Sequence, residues 1–150
     1  MKKGFTIVEL LVVIVVIGIL AAITVVSYSG VTSKARTAQA QSNANSVRQV
    51  ADIYYTDNGY YPATLAAFAS GSTTTKLPSS ISVISDGTLD ATNGQTSVSW
   101  ACVSTSTSTP CSSPTGGKIQ YWNFSVTSNN LVTIYVGSAT SSSTFYAPAS

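Results

Sequence analysis

The chain has 150 residues and a mass of 15.5 kDa, enough for one ordinary domain and too little for two. Only 8% of its residues are charged and none is histidine, so the commonest general base and metal ligand are missing. Two of the seven basic residues, Lys2 and Lys3, open the chain; the remaining five balance five acids, which leaves no basic patch for nucleic acid.

Hydrophobic residues make up 44% of the chain and are unevenly spread. Phe5 to Val26 is apolar apart from Thr6, Glu9, Gly18 and Thr24. As a helix these residues span about 33 Å, enough to cross a bilayer core. The preceding lysines put the N-terminus in the cytoplasm by the positive-inside rule. A secretory signal peptide needs a shorter apolar stretch followed by a small-residue cleavage site, and this segment is too long for that. A plain transmembrane anchor fits the length but leaves Glu9 unexplained. A carboxylate at membrane depth costs about 2.5–3.5 kcal/mol or more, and the segment holds no basic partner for it.

Lys2-Lys3-Gly4 followed by Phe5-Thr6-Ile7-Val8-Glu9-Leu10 resembles the processing signal of the type IV pilin superfamily, which includes pilins and the pseudopilins of type II secretion and competence systems. The resemblance covers about the first thirty residues closely and the rest only in layout. It implies that prepilin peptidase cuts between Gly4 and Phe5 and methylates the new amine of Phe5. It also implies that Glu9 directs assembly, its carboxylate meeting the Phe5 amine of a neighbouring copy. Residues 1–4 are then a leader, 5–28 a transmembrane and assembly helix, and 29–150 a globular head. Many members carry a proline near the position of Val26, where this chain has valine.

The helix is expected to continue to about Tyr55, for a length of about 75 Å. Val31, Ala35, Ala38, Ala40, Ala44, Val47, Val50, Ala51 and Tyr54 recur at helical spacing as its core stripe. Lys34, Arg36, Gln39, Gln41, Asn43, Arg48 and Asp52 supply the polar face, and Ser27, Ser29 and Gly30 weaken the helix locally. Asp57-Asn58-Gly59 supplies the stop. The stretch Tyr54 to Pro62 resembles the helix exit of pseudopilins and many pilins. Thr64 to Phe68 reads as a short helix. Strand candidates follow at Ile81 to Ile84, Ser97 to Cys102, Lys118 to Val126 and Leu131 to Val136, with a weak fifth at Thr144 to Tyr146. Ser128-Asn129-Asn130 reads as a hairpin turn. The fold class is therefore α+β: a long N-terminal helix with a small antiparallel sheet of three or four strands on its C-terminal half.

Cys102 and Cys111 read as one disulfide in an exported domain, the alternative being two separate thiols. The Ser/Thr run 104–109 lies between them and is expected to be exposed, as a candidate for glycosylation. Asp86 and Asp90 could face one cation, and major secretion pseudopilins bind calcium in a C-terminal loop. Two carboxylates fall short of the six to eight oxygens calcium takes, so the expectation is a turn and no metal. Tyr121, Trp122, Phe124 and Tyr135 are expected to be packing residues. No catalytic constellation and no phosphate-binding loop is present, so neither enzyme activity nor a cofactor is expected.

The reading is a structural subunit of a type IV pilus-like filament serving attachment, motility or DNA uptake. Its partners are copies of itself, minor pilins, prepilin peptidase, an inner-membrane assembly platform and, before assembly, membrane lipid. The first alternative is a pseudopilin of a secretion or competence system. An adhesive or ligand-binding tip subunit is the alternative of another class; such subunits often lack the glutamate, and Glu9 argues against it.

Overall fold

A computed structural model describes residues 4–69, 76–104 and 111–148 of the chain. Lys2 and Lys3, residues 105–109 of the Ser/Thr run and the side chain of Val26 lie outside the described residues.

Helix α1 runs unbroken over Ile7–Asn58, 52 residues and about 78 Å. It passes through Ser27 to Gly30 without interruption, so that local weakness does not break the backbone ladder. Thr6 caps its start, and Gly59 ends it with φ 78°, donating its amide to the Tyr55 carbonyl. The left-handed conformation at this position costs glycine little, which is why the chain turns there.

Beyond Pro62, a 3-10 turn at Leu65–Phe68 is capped by Thr64. The sheet comprises β1 (Ser82–Ser85), β2 (Ser97–Val103), β3 (Gly116–Trp122) and β4 (Leu131–Gly137), ordered β1-β2-β3-β4. β2–β3 and β3–β4 are antiparallel, but β1 pairs with β2 in parallel, with Ser82 opposite Ser97 and Ser85 opposite Trp100. This corrects the expectation of a purely antiparallel sheet. A parallel pair needs a connection that returns the length of the strand, and residues 86–96 make it. Asp86 at its start bonds to Lys118, and Gly94 near its end sits against Trp122. Lys118 and Trp122 alternate with Ile119 and Tyr121 of the core, so both belong to the other face of β3. The connection therefore crosses the sheet face turned away from α1 and meets α1 at its end, where the Gln95 carbonyl accepts from Asn43. Ser97, Ser99 and Ala101 of β2 are buried there.

The third strand candidate ends earlier than expected, at Trp122. The β3–β4 connection is also longer than the expected turn, residues 123–130. Asn130 Nδ2 holds it by donating to the carbonyls of Asn123 and Val126. The fifth candidate is a single bridge in which Tyr146 pairs with Cys102.

The core lies between α1 and the inner sheet face. Ala40, Ala44, Val47 and Ala51 meet Val98, Trp100, Ile119, Tyr121 and Val136. Small residues on the helix let the sheet approach closely, and one indole fills the centre. Trp100 is fully buried and donates Nε1–H to the Pro62 carbonyl at 3.1 Å. Gly117 makes room for it: a Cβ there would lie 2.2 Å from the indole. Asn43, expected on the polar face, is buried instead. Its Nδ2 donates to the Gln95 carbonyl and its Oδ1 accepts from Gln39.

Candidate functional site

The N-terminal end of α1 is built around Thr6 and Glu9. Glu9 Oε2 accepts from the Thr6 amide at 2.9 Å and from the Thr6 hydroxyl at 2.7 Å, while the Glu9 amide donates to Thr6 Oγ1 at 3.2 Å. This is a capping box, with an acid in the first turn where the helix dipole favours it. Both bonds to the carboxylate converge on Oε2. Among the described residues, Oε1 takes none. Glu9 stands out in the sequence as a lone carboxylate; Thr6 is not among the expected site residues, although the Thr-x-x-Glu spacing is itself the local signal for this motif. Gly4 and Phe5 precede the first turn, and both are exposed, Phe5 by 80%.

Nothing in the described chain covers the helix that follows. Ile7–Thr24 is long and apolar enough to cross a membrane, and none of it is buried. Thr24, its polar interruption, returns its hydroxyl to the Ala21 carbonyl at 2.9 Å. That leaves no hydroxyl proton unsatisfied in an apolar setting.

The uncovered surface does not stop where the head begins. Val31, Ala35 and Ala38 were expected in the core, yet all three are exposed, Val31 by 61%. The reason is angular. Ala38 and Ala40 differ by two residues, roughly 200° around the helix, so they cannot face the same sheet. The head is met at Arg36, whose guanidinium lies over the Phe124 ring, and at Thr37, whose hydroxyl lies 3.2 Å from Asn123 Oδ1 and accepts from the Phe124 amide; the contact becomes apolar at Ala40. Val13, Ile17, Leu20, Thr24, Tyr28, Val31, Ala35 and Ala38 step by three or four residues and are all exposed. They form one stripe that runs from the apolar end up the back of the head-bearing half.

At the other end the head is held by its helix exit. The Tyr61 amide donates to the Pro114 carbonyl, and the Tyr61 ring stacks on Tyr55 at 4.8 Å. The Tyr61 hydroxyl donates to Asp52 at 3.2 Å; burial, then the Asp52 carboxylate, push its pKa up to about 12. Cys102 and Cys111 form a disulfide with Cα atoms 5.7 Å apart.

Asp86 and Asp90 are drawn into separate contacts. Asp86 accepts from Lys118 Nζ at 2.7 Å. Asp90 Oδ1 accepts from the amides of Thr92 and Asn93, and those bonds, the one from Asn93 first, hold its pKa below the ordinary value. Among the described residues no group of three or more acids or cysteines could hold a metal. Of the four aromatics expected to pack, Tyr121 lies in the core. Phe124 packs at the core margin beneath Arg36, and Trp122 lies against Gly94. Tyr135 is instead 38% exposed, stacked on Phe145.

A family-model match falls on the same N-terminal segment. The family described as the prokaryotic N-terminal methylation motif matches residues 1–25. The fimbrial protein EcpC of Eikenella corrodens is 36% identical over 88 residues, 58% of each chain. The type II secretion system core protein G of Escherichia coli (strain K12) is 40% identical over 63 residues, 42% of this chain and 43% of that one. The type IV major pilin protein PilE of Neisseria gonorrhoeae is 36% identical over 74 residues, 48% of this chain and 44% of that one. The matches thus span about half the length of these relatives. No solved structure matches the chain. The chain carries the N-terminal methylation motif and is a relative of the type IV pilins and of the type II secretion pseudopilins.

Proposed function

We propose that this chain is the structural subunit of a type IV pilus-like filament. It is inserted once in the inner membrane with its N-terminus in the cytoplasm and is cut by prepilin peptidase between Gly4 and Phe5. The assembly platform then draws it into a filament of its own copies, with minor pilins. Residues 1–4 form the leader, 5–28 the membrane and assembly helix, and 29–150 the head. The observation that carries this reading is the uncovered apolar helix, with its stripe continuing past Tyr28 to Ala38 on the side away from the sheet. Lipid serves the lower part of such a surface, but only a neighbouring protein serves the whole of it, because Ala35 and Ala38 are level with the head.

Processing and assembly then share one device. A cut before Phe5 leaves the Phe5–Thr6 peptide bond whole, so the Thr6 amide that caps Glu9 survives it. Thr6 holds the carboxylate by Oε2. Oε1 remains for the new amine of Phe5 on a neighbouring copy. In the low dielectric of a packed helix bundle that pair is strong, and removing one partner costs about 3–5 kcal/mol per subunit. The 40% identity to a secretion-system core protein supports a second reading, a pseudopilin of such a system.

The test is fractionation of membranes and sheared filaments for Glu9→Val and Glu9→Asp. Glu9→Val should insert and be cleaved but yield few or no filaments, and Glu9→Asp, with its shorter reach, should be intermediate. Filament yield at the unmodified level from Glu9→Val would refute the role given to this carboxylate. Surface fibres under the microscope would favour the pilus reading over the pseudopilin.

A further inference from the structure

The upper half of β2 has an unusual neighbour. β1 ends opposite Trp100, and beyond it the free edge of β2 is taken by the C-terminal segment. Cys102 and Tyr146 exchange two main-chain hydrogen bonds, both 3.0 Å. The Phe145 ring leans the other way, over the sheet face that bears Lys118 and Tyr135. Its ring stacks on Tyr135 with centroids 6.0 Å apart, and Lys118 Nζ lies 4.9 Å from its centre. The segment is thus a strap that crosses from the β4 side to the β2 edge.

The disulfide sits directly on this strap. Cys102 is both the residue that pairs with Tyr146 and one half of the bond. The sulfurs of Cys102 and Cys111 lie 3.5 and 3.7 Å from the Tyr146 carbonyl oxygen, and that of Cys111 lies 3.6 Å from the Ala147 carbonyl. Because a disulfide sulfur carries no proton, these are packing contacts in which the bonded pair forms a wall against the strap. Cys111 holds its side of the wall in a left-handed conformation, φ 61°, and Ser113 two residues on has φ 51°. Neither is glycine, so both conformations are disfavoured and persist only where the surroundings impose them. The bond to Cys102 is the covalent part of that imposition.

We propose that the Cys102–Cys111 disulfide is a redox latch on the C-terminal strap, residues 144–148. A dithiol reductant supplies two electrons and two protons. The S–S bond breaks, two thiols form, and the reductant closes to its own disulfide. Cys111 is then free to leave its left-handed conformation, and the wall behind Tyr146 and Ala147 is lost. The strap detaches and bares the upper edge of β2, while the rest of the sheet keeps its pairing because β3 and β4 are joined by a ladder the disulfide does not enter.

Hydrogen–deuterium exchange of the full chain in detergent micelles, with and without dithiothreitol, tests this. With the bond intact, the Tyr146 amide, which donates to the Cys102 carbonyl, should be protected in a peptide covering 144–148. On reduction it should exchange at least roughly ten-fold faster, as an unstructured segment does, while peptides covering β3 and β4 stay protected over the same interval. The C102A/C111A variant should show the fast strap without reductant and no response to dithiothreitol. Three results overturn the proposal: an unchanged strap in the reduced chain, strap and sheet losing protection together, or a dithiothreitol response that persists in the variant. The wild-type comparison decides the matter even where the variant fails to fold.

Discussion

Gly117 is the residue on which the core is most exposed to a single methyl group. In Gly117→Ala the new Cβ would lie 2.2, 2.6 and 2.7 Å from three atoms of the Trp100 ring. Carbon atoms do not approach so closely, and Trp100 has no free space to enter, being fully buried. Either the ring or the strand must shift by about an ångström or more to restore the ordinary separation of about 3.5–4 Å. If the ring shifts, the bond from Nε1 to the Pro62 carbonyl breaks in a dry interior. Overpacking of this kind costs about 1–3 kcal/mol, and a buried donor left unpaired adds about 1–3 kcal/mol. A combined loss of about 2–6 kcal/mol lowers the melting point by roughly 8–24 °C at about 4 °C per kcal/mol for a domain of this size. Thermal unfolding in mild detergent, followed by tryptophan fluorescence, measures it. Trp100→Phe supplies the control. It removes the ring atoms that the added methyl strikes, so Gly117→Ala combined with Trp100→Phe should cost far less than it does alone, a coupling that a double-mutant cycle reads directly. A melting point within about 2 °C of wild type for Gly117→Ala, less than about 0.5 kcal/mol on the same scale, or strict additivity in the cycle, would refute the reasoning.

Gly4→Leu should leave an uncleaved precursor four residues longer, because the exposed Gly4–Phe5 bond must be gripped by a protease in extended form; mass spectrometry of wild type should find methylated Phe5 at the N-terminus. Gly59→Ala should lower stability by about 1 kcal/mol through the local crowding of a Cβ at φ 78° alone, since that Cβ would meet nothing else within 4 Å; Gly59→Asn should cost less, and chemical denaturation of the three forms ranks them. For Tyr61, the folded pKa is raised from 10.0 to about 12. The folded state therefore keeps a proton that the unfolded chain has lost. Its contribution is whole below about pH 10 and falls away as pH rises from about 10 to 12; urea midpoints across that window should decline in wild type and flatten in Tyr61→Phe.

What the sequence disclosed follows the range of the interactions involved. The helix, its stop at Gly59, the short turn within Thr64 to Phe68 and the positions of all four strands rest on neighbours within a few residues, and each is readable from spacing and turn chemistry. The apolar N-terminal segment was readable for the same reason. The Thr6–Glu9 box is equally local, but a lone carboxylate in an apolar helix points first to a partner on another copy, and Thr6 is the nearer one. The parallel β1–β2 pair was not readable. It depends on residues 86–96 crossing the outer face, held there by Trp122 and by Lys118, which lies thirty-two residues from its partner Asp86. Helical periodicity also showed that apolar stripes exist without saying which stripe the sheet would cover. Val31 and Ala35 were therefore assigned to the core, although their side of the helix faces away from it. Asn43 is the converse: a polar residue drawn inside because the Gln95 carbonyl needed a donor.

The two anchorages of the head on α1 have a mechanical consequence. Thr37 is bonded to the 123–130 loop near one end, and Tyr61 is bonded to Pro114 just past the other. The helical stretch between Thr37 and Asn58 is about 33 Å long. A pull along the helix axis therefore loads the whole strip of contacts from Ala40 to Ala51 at once, in shear. Hydrogen bonds and packed alanines loaded in parallel share the force, whereas the same contacts opened from one end would fail one after another. A head attached in this way resists tension along its spine far better than a sideways peel, and the weak direction is the one in which the Tyr61–Pro114 end lifts first.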